Sequence, residues 1–173
     1  MKKLSLLVFG LLISIGVFAQ STYVKFATNK GNITVMLYDQ TPKHKAMFLH
    51  AIKKGVYKNA QFNRVIKDFV SQAGELDEPI LAREKLHPEQ TPVRLAGEFN
   101  PLLFHKKGVL AAGRDDNPAK SSYYNQIYFV AGKLYDDQKL DALEQKKGHK
   151  FQEEIRKVYK TIGGTPSLDM DYT

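Results

Sequence analysis

Apolar and polar positions divide this chain into short β-prone runs followed by helical stripes. Residues 23–28 and 33–38 are rich in β-branched and aromatic side chains, with Asn29-Lys30-Gly31-Asn32 as turn chemistry between them, which predicts a hairpin. Thr41-Pro42 offers a helix start, with threonine as N-cap and proline in the first turn. Behind it Ala46, Leu49 and Ile52, with Phe48 beside them, recur at helical spacing until Gly55. A strand pattern returns over residues 62–72. From 76 to 100 the pattern weakens around Pro79, Pro88 and Pro92, which predicts a loop holding a short strand. Residues 108–113 form a compact apolar strand of small residues, 114–122 a polar loop, and 126–130 a strongly β-prone strand. Residues 136–147 and 150–161 then predict two amphipathic helices separated by Gly148, with narrow apolar stripes suited to covering a sheet. Gly163-Gly164-Thr165-Pro166 reads as a turn.

The run from Gln61 to Gly74 stands out because it carries Arg64 and Gln72 among apolar residues. Side chains in a strand alternate between faces, so a strand pair that gives positions to Arg64 and Gln72 does more than fill a core. An isolated strand arginine is ordinarily a solvated edge residue. The company this segment keeps along the chain decides otherwise.

Composition adds a leader and removes several kinds of chemistry. Met1-Lys2-Lys3 is a short basic start, residues 4–18 are apolar, and Val17-Phe18-Ala19 places small residues where a signal peptidase reads them. A membrane span needs ~20 apolar residues, so residues 1–19 are expected to be a cleaved signal peptide. The mature protein, one domain over 20–173, is then expected to be periplasmic or secreted, touching the membrane only transiently through its leader. With no cysteine in the chain, neither a lipidated junction nor a disulfide is available. The formal charge of +8 is spread over lysines with acids between them. It lacks the aromatic-interleaved basic stripe of a nucleic-acid binder, so a solvated basic surface and no nucleic-acid partner are expected. The five histidines show no metal-ligand spacing. Asp169 and Asp171 read as turn chemistry, and Gly163-Gly164-Thr165 lacks the lysine of a phosphate loop. No cofactor or metal is expected.

Five words in consistent order carry a family resemblance. They are Gly31-Asn32-Ile33-Thr34-Val35-Met36-Leu37, Phe62-Asn63-Arg64-Val65-Ile66, Phe69-Val70-Ser71-Gln72-Ala73-Gly74, Gly108-Val109-Leu110-Ala111-Ala112 and Gln126-Ile127-Tyr128-Phe129-Val130. Together with Leu168-Asp169-Met170-Asp171-Tyr172-Thr173, the chain resembles the cyclophilins, peptidyl-prolyl cis/trans isomerases, and most of all exported bacterial members with a helical insertion, here 136–162. The resemblance implies a mainly β fold, an antiparallel β-barrel with capping helices, that binds substrate on its outer face. The family pattern continues past Tyr-Thr into further strands, so the barrel is expected to be C-terminally truncated, as a fragment or by an early stop.

Carried over position by position, Arg64 falls where the catalytic arginine does, and Gln72 would hold the substrate backbone. Phe69, Val70, Tyr128 and Leu168 would line a proline pocket, with Gln126 near Gln72. Gly113 and Arg114 would form the rim, and Tyr172 stands where many members place a histidine. Asn63 replaces a histidine, Ile127 a phenylalanine and Arg114 an asparagine, while Ser167 stands where some members carry a tryptophan. The implied activity is isomerisation of Xaa-Pro bonds in exported, proline-containing polypeptides by a monomer. The alternative is a proline-peptide-binding module without turnover, or an inactive fragment.

Overall fold

A computed structural model of the chain describes residues 21–90 and 94–173; the expected signal peptide lies outside the described residues. Strands β1 (Thr22–Thr28) and β2 (Gly31–Leu37) form the expected hairpin, in register from Thr22↔Leu37 to Thr28↔Gly31. Its turn is the two residues Asn29-Lys30. The Thr28 hydroxyl closes it by donating to the Gly31 carbonyl at 2.6 Å and accepting from the Lys30 amide at 3.1 Å. Gly31 takes φ +120°, a backbone that side-chain-bearing residues rarely adopt.

Helix α1 (Pro42–Lys53) begins at the expected proline, but the Thr41 side chain does not cap it. The cap comes from far along the chain: the Glu98 carboxylate accepts from the Lys43 amide at 3.1 Å and the His44 amide at 2.7 Å. A carboxylate there satisfies amides that have no partner within the helix and complements its dipole. The buried face of α1 is His44, Phe48 and Ala51, rotated from the predicted Ala46–Leu49–Ile52 stripe. The rotation follows from His44, a polar residue drawn into the core by Glu98 and Ser122. Ala46 and Ile52 face outward as a result.

Strands β3 (Phe62–Val65), β4 (Val70–Gly74), β5 (Leu110–Ala112) and β6 (Gln126–Val130) form an antiparallel sheet in the order β3-β4-β6-β5. Alternation gives this sheet two buried faces. On one, Ala73 and Ile127 pack with Phe48 of α1, while Phe26 of β1 meets Phe129 edge-on at 5.2 Å. On the other, Val70, Tyr128 and Val130 pack with Ala111 and Leu168. The described strands do not close into a complete barrel. An apolar cleft of about 300 Å³, lined by Val35, Leu37, Phe48, Leu110 and Ile127 among others, separates the β2 and β5 edges.

Three elements depart from the sequence expectation. The stretch expected as loop and strand contains α2 (Asp77–Leu86), then a 3-10 turn at Pro88–Gln90. Only Ile80 of α2 is buried, so no apolar stripe could announce the helix. Ion pairs anchor its flanks instead, Arg83–Glu75 at 2.7 Å and Arg94–Glu84 at 2.5 Å. Helices α3 (Asp137–Lys147) and α4 (Glu153–Thr161) form within the predicted helical stretch, and Gly148 ends α3 at φ +72°. They do not cover the sheet. Leu140, Phe151, Ile155 and Tyr159 form a core of their own, completed by Phe104, Tyr135 and Leu143.

Candidate active site

The outer face of the sheet opens into a cavity of about 380 Å³. Arg64, Phe69, Val70, Gln72, Gly113, Arg114, Gln126, Tyr128, Leu168 and Tyr172, every position singled out from sequence, line it. They come from β3, β4, β6, the loop after β5 and the segment around residues 166–172. Antiparallel pairing of β3, β4 and β6 brings Arg64, Val70, Gln72, Gln126 and Tyr128 together, and the loop after β5 and the 166–172 segment fold against them.

Arg64 and Gln72 are cross-strand partners, and the Arg64 Nη1 donates to the Gln72 side-chain oxygen at 3.3 Å. A register irregularity between Phe62 and Arg64 re-aims β3, as bulges do. Arg64 is exposed whereas Gln72 is buried, so an exposed guanidinium meets a buried amide. Phe69 sits at the end of the β3–β4 turn. Its carbonyl accepts from Ala131 at 3.0 Å, Gly132 at 2.9 Å and the Thr165 hydroxyl at 3.2 Å. That triple anchorage fixes the ring at the cavity edge. Tyr128, 3% exposed, lies at the centre of the apolar lining with the Tyr172 ring edge-on at 5.8 Å. Burial raises the Tyr128 phenol well above its ordinary pKa, so it stays a neutral donor.

The rim residues are more occupied than their sequence positions suggest. Arg114 Nε donates to the Asp171 carbonyl at 2.9 Å, and its guanidinium lies 4.3 Å from the Tyr172 ring centroid. The amide of Gly113 donates to the Gln126 carbonyl at 2.8 Å. A Cβ at Gly113 would collide with the Gln126 side chain, so the close approach requires glycine. Gln126 itself spends its amide donors on the Glu75 carbonyl at 3.0 Å and Asp77 Oδ1 at 2.7 Å. Its side-chain oxygen lies against Gly113.

Sequence reasoning missed an acidic part of the lining, Asp77, Glu78, Asp115 and Asp116, the last two directly following Arg114 in the chain. Asp77 and Glu78 belong to the unannounced helix α2. Burial works against the charge of Asp115, but bonds from Asn117 and Arg94 outweigh it and hold the carboxyl below its ordinary range. The arrangement thus joins an apolar floor, one exposed guanidinium, one buried amide and an acidic fringe. It can grip a compact apolar group and direct hydrogen-bond donors at an atom beside it.

Known proteins resemble the chain along this same stretch. The sequence model of the family described as cyclophilin type peptidyl-prolyl cis-trans isomerase/CLD matches residues 23–151. A Staphylococcus saprophyticus protein whose name assigns it to the peptidyl-prolyl cis-trans isomerases is 30% identical over 147 residues, 84% of this chain and 70% of that one. A peptidyl-prolyl cis-trans isomerase of Acinetobacter baylyi is 30% identical over 130 residues, 73% of this chain and 65% of the relative. Among solved structures, a Cryptosporidium parvum cyclophilin type isomerase superposes with a TM-score of 0.50 at 24% identity, covering 66% of this chain and 70% of that one. That likeness speaks for the fold.

Proposed function

The chain belongs to the cyclophilin-type peptidyl-prolyl cis-trans isomerases, and from this premise we propose which of its residues perform the isomerisation, and on what. Amide resonance sets a barrier of ~18–20 kcal/mol against rotation. In the twisted transition state the prolyl nitrogen loses conjugation and becomes an acceptor. Arg64 supplies permanently charged donors for that nitrogen. Gln72 holds the backbone on one side of the bond while the other side turns. Phe69, Val70, Tyr128, Leu168 and Tyr172 receive the proline ring and exclude water, which favours the planar ground state. No covalent intermediate is needed, because catalysis lies in tighter binding of the twisted form.

The observation that carries this assignment is the Arg64–Gln72 pair at 3.3 Å beside the apolar floor in one cavity. An Arg64→Ala variant tests it in an Xaa-Pro isomerisation assay, with peptide binding followed separately. Turnover is expected to fall about 10²-fold, as when a preorganised donor is removed, while peptide binding persists. Equal turnover in the variant and the parent would remove Arg64 from the mechanism.

The basic start, apolar run and small residues of positions 1–19 support a second part of the proposal, that the clients are exported polypeptides. The expected outcome is a mature N-terminus at Gln20, read by mass spectrometry of protein from the periplasmic or secreted fraction. Full-length chain in the cytoplasm alone would count against export.

A further inference from the structure

One buried polar network lies behind the cavity, and the isomerisation chemistry does not call on it. The Asp169 carboxylate, 5% exposed, accepts three bonds. These come from the His105 amide at 2.8 Å, His105 Nδ1 at 2.9 Å and the Tyr159 hydroxyl at 2.6 Å. In the tautomer whose Nδ1–H donates to the carboxylate, Nε2 is left as an acceptor. The Tyr128 hydroxyl lies 3.0 Å from that nitrogen and in this tautomer donates to it. The His105 ring also stacks on Tyr128, 16° from parallel at 6.1 Å. Each donor therefore has an acceptor, in the order Tyr159 to Asp169, His105 to Asp169, and Tyr128 to His105.

The two ends of this network have different surroundings. Tyr128 faces the cavity. Tyr159 belongs to α4 and is fully buried in the separate core of the helical pair, with Phe104, Phe151 and Tyr135 rings around it at 5.5, 5.9 and 6.2 Å. The pair grips the same segment a second time, where Lys147 of α3 donates to the Ser167 carbonyl at 2.9 Å and to Asp171 Oδ2 at 3.1 Å. That segment carries Leu168 and Tyr172 into the cavity. Holding two helices in place does not require a buried carboxylate, for which apolar packing of similar volume is often no worse. What hydrogen bonds add is direction: they fix the rotation and depth of the rings they join.

Resting on the assignment of this cavity as the prolyl site, we propose that Tyr159, Asp169 and His105 are positioning residues for it. Their relay sets the Tyr128 ring at the pocket floor, so the α3–α4 pair governs how closely the pocket fits a proline ring. None of the three touches the reacting bond.

A double-mutant cycle tests the relay. Tyr128→Phe keeps the ring and loses its anchor; Tyr159→Phe keeps the α4 packing and frees Asp169. Each single variant is expected to raise KM for an Ala-Xaa-Pro peptide about fivefold, the scale of one hydrogen bond, with kcat changed less than twofold. Adding Tyr159→Phe to Tyr128→Phe should raise KM no further, because the link is already cut. Additive effects, or an unchanged KM in a folded Tyr159→Phe variant, overturn the proposal. Should Tyr159→Phe fail to fold, the unaltered chain supplies the measurement. The His105 ring nitrogens and the Tyr159 hydroxyl proton should shift in NMR spectra as peptide saturates the site, and spectra unmoved at saturation overturn the relay. A chain that binds and isomerises peptide while the cycle is additive loses the relay alone. A chain that binds no Xaa-Pro peptide loses the site assignment and the relay with it.

Discussion

His44 shows how a single side chain can commit a helix to one face. Its Nδ1 lies 2.7 Å from Glu98 Oε2 and its Nε2 3.0 Å from the Ser122 hydroxyl, at 7% exposure. Burial lowers its pKa below the ordinary 6.5, and the bond to Glu98 offsets only part of that. The unfolded chain therefore takes up a proton near pH 6.5 that the folded chain resists. Stability contributed by neutral His44 is complete above that pH, falls as the pH drops below it, and levels off beneath the folded pKa. Urea midpoints measured from pH 8 to pH 5 should decline for the parent and flatten for His44→Gln; parallel profiles would exclude His44 as the source. At this scale the chemistry was legible where it is local. Arg64, Phe69 and Gln72 share a short segment whose residue types announce a site. His44 and His105 read only as histidines without metal spacing, since their partners lie 54 and 64 residues away.

Among the elements, those with strong local signals form where the pattern puts them. The β1–β2 hairpin, α1 and β6 are of this kind. Helix α3 adds two terminal devices, Asp136 accepting from the Lys139 amide at 2.8 Å and Gly148 in the left-handed region at φ +72°. Nothing lies within 4 Å of a Cβ built on Gly148, so Gly148→Ala tests backbone conformation alone. It should cost about 1 kcal/mol, read as a lower urea midpoint with an unchanged slope; a loss near zero would show that another residue sets the stop. Helix α2 went unread because its order comes from Ile80 and from ion pairs at its flanks, not from a periodic stripe. The stripe on α1 was legible but rotated, because a hydrophobicity pattern counts His44 as polar while tertiary bonds make it core. For α3 and α4 the helices were readable and their destination was not. A narrow stripe fits a sheet or a second helix equally well, and here it meets Phe104, Tyr135 and its partner helix.

Across the whole molecule, carboxylates tie together segments that backbone pairing leaves apart. Glu98 joins α1 to the loop before β5, Asp115 holds Arg94, Glu144 holds Arg156 and the Phe151 amide, and Asp171 holds Lys147 and Lys120. In each case burial opposes the charge, yet hydrogen bonds and cations leave the carboxyl below its ordinary value of 4.5 or 3.8. Below those values the unfolded chain binds more protons than the folded one, so this stability is present above them and is lost as the pH falls through the folded values. A second decline in the urea midpoint below about pH 4.5, after the His44 step, is the expected profile; a constant midpoint from pH 5 to pH 3 would contradict it. The sequence by itself determined the order of β-prone runs and the breakers between them, because propensity, turn chemistry and local spacing act over a few residues, and its ordered words carried the family resemblance that named the candidate site positions. Tertiary structure alone decided that all ten site positions share one cavity and that Asp77, Glu78, Asp115 and Asp116 border it. It also decided that Asp169, which locally reads as a turn, links α4 to Tyr128. Strand register and buried hydrogen bonds join residues far apart in the chain, and no local pattern encodes which distant partner each will meet.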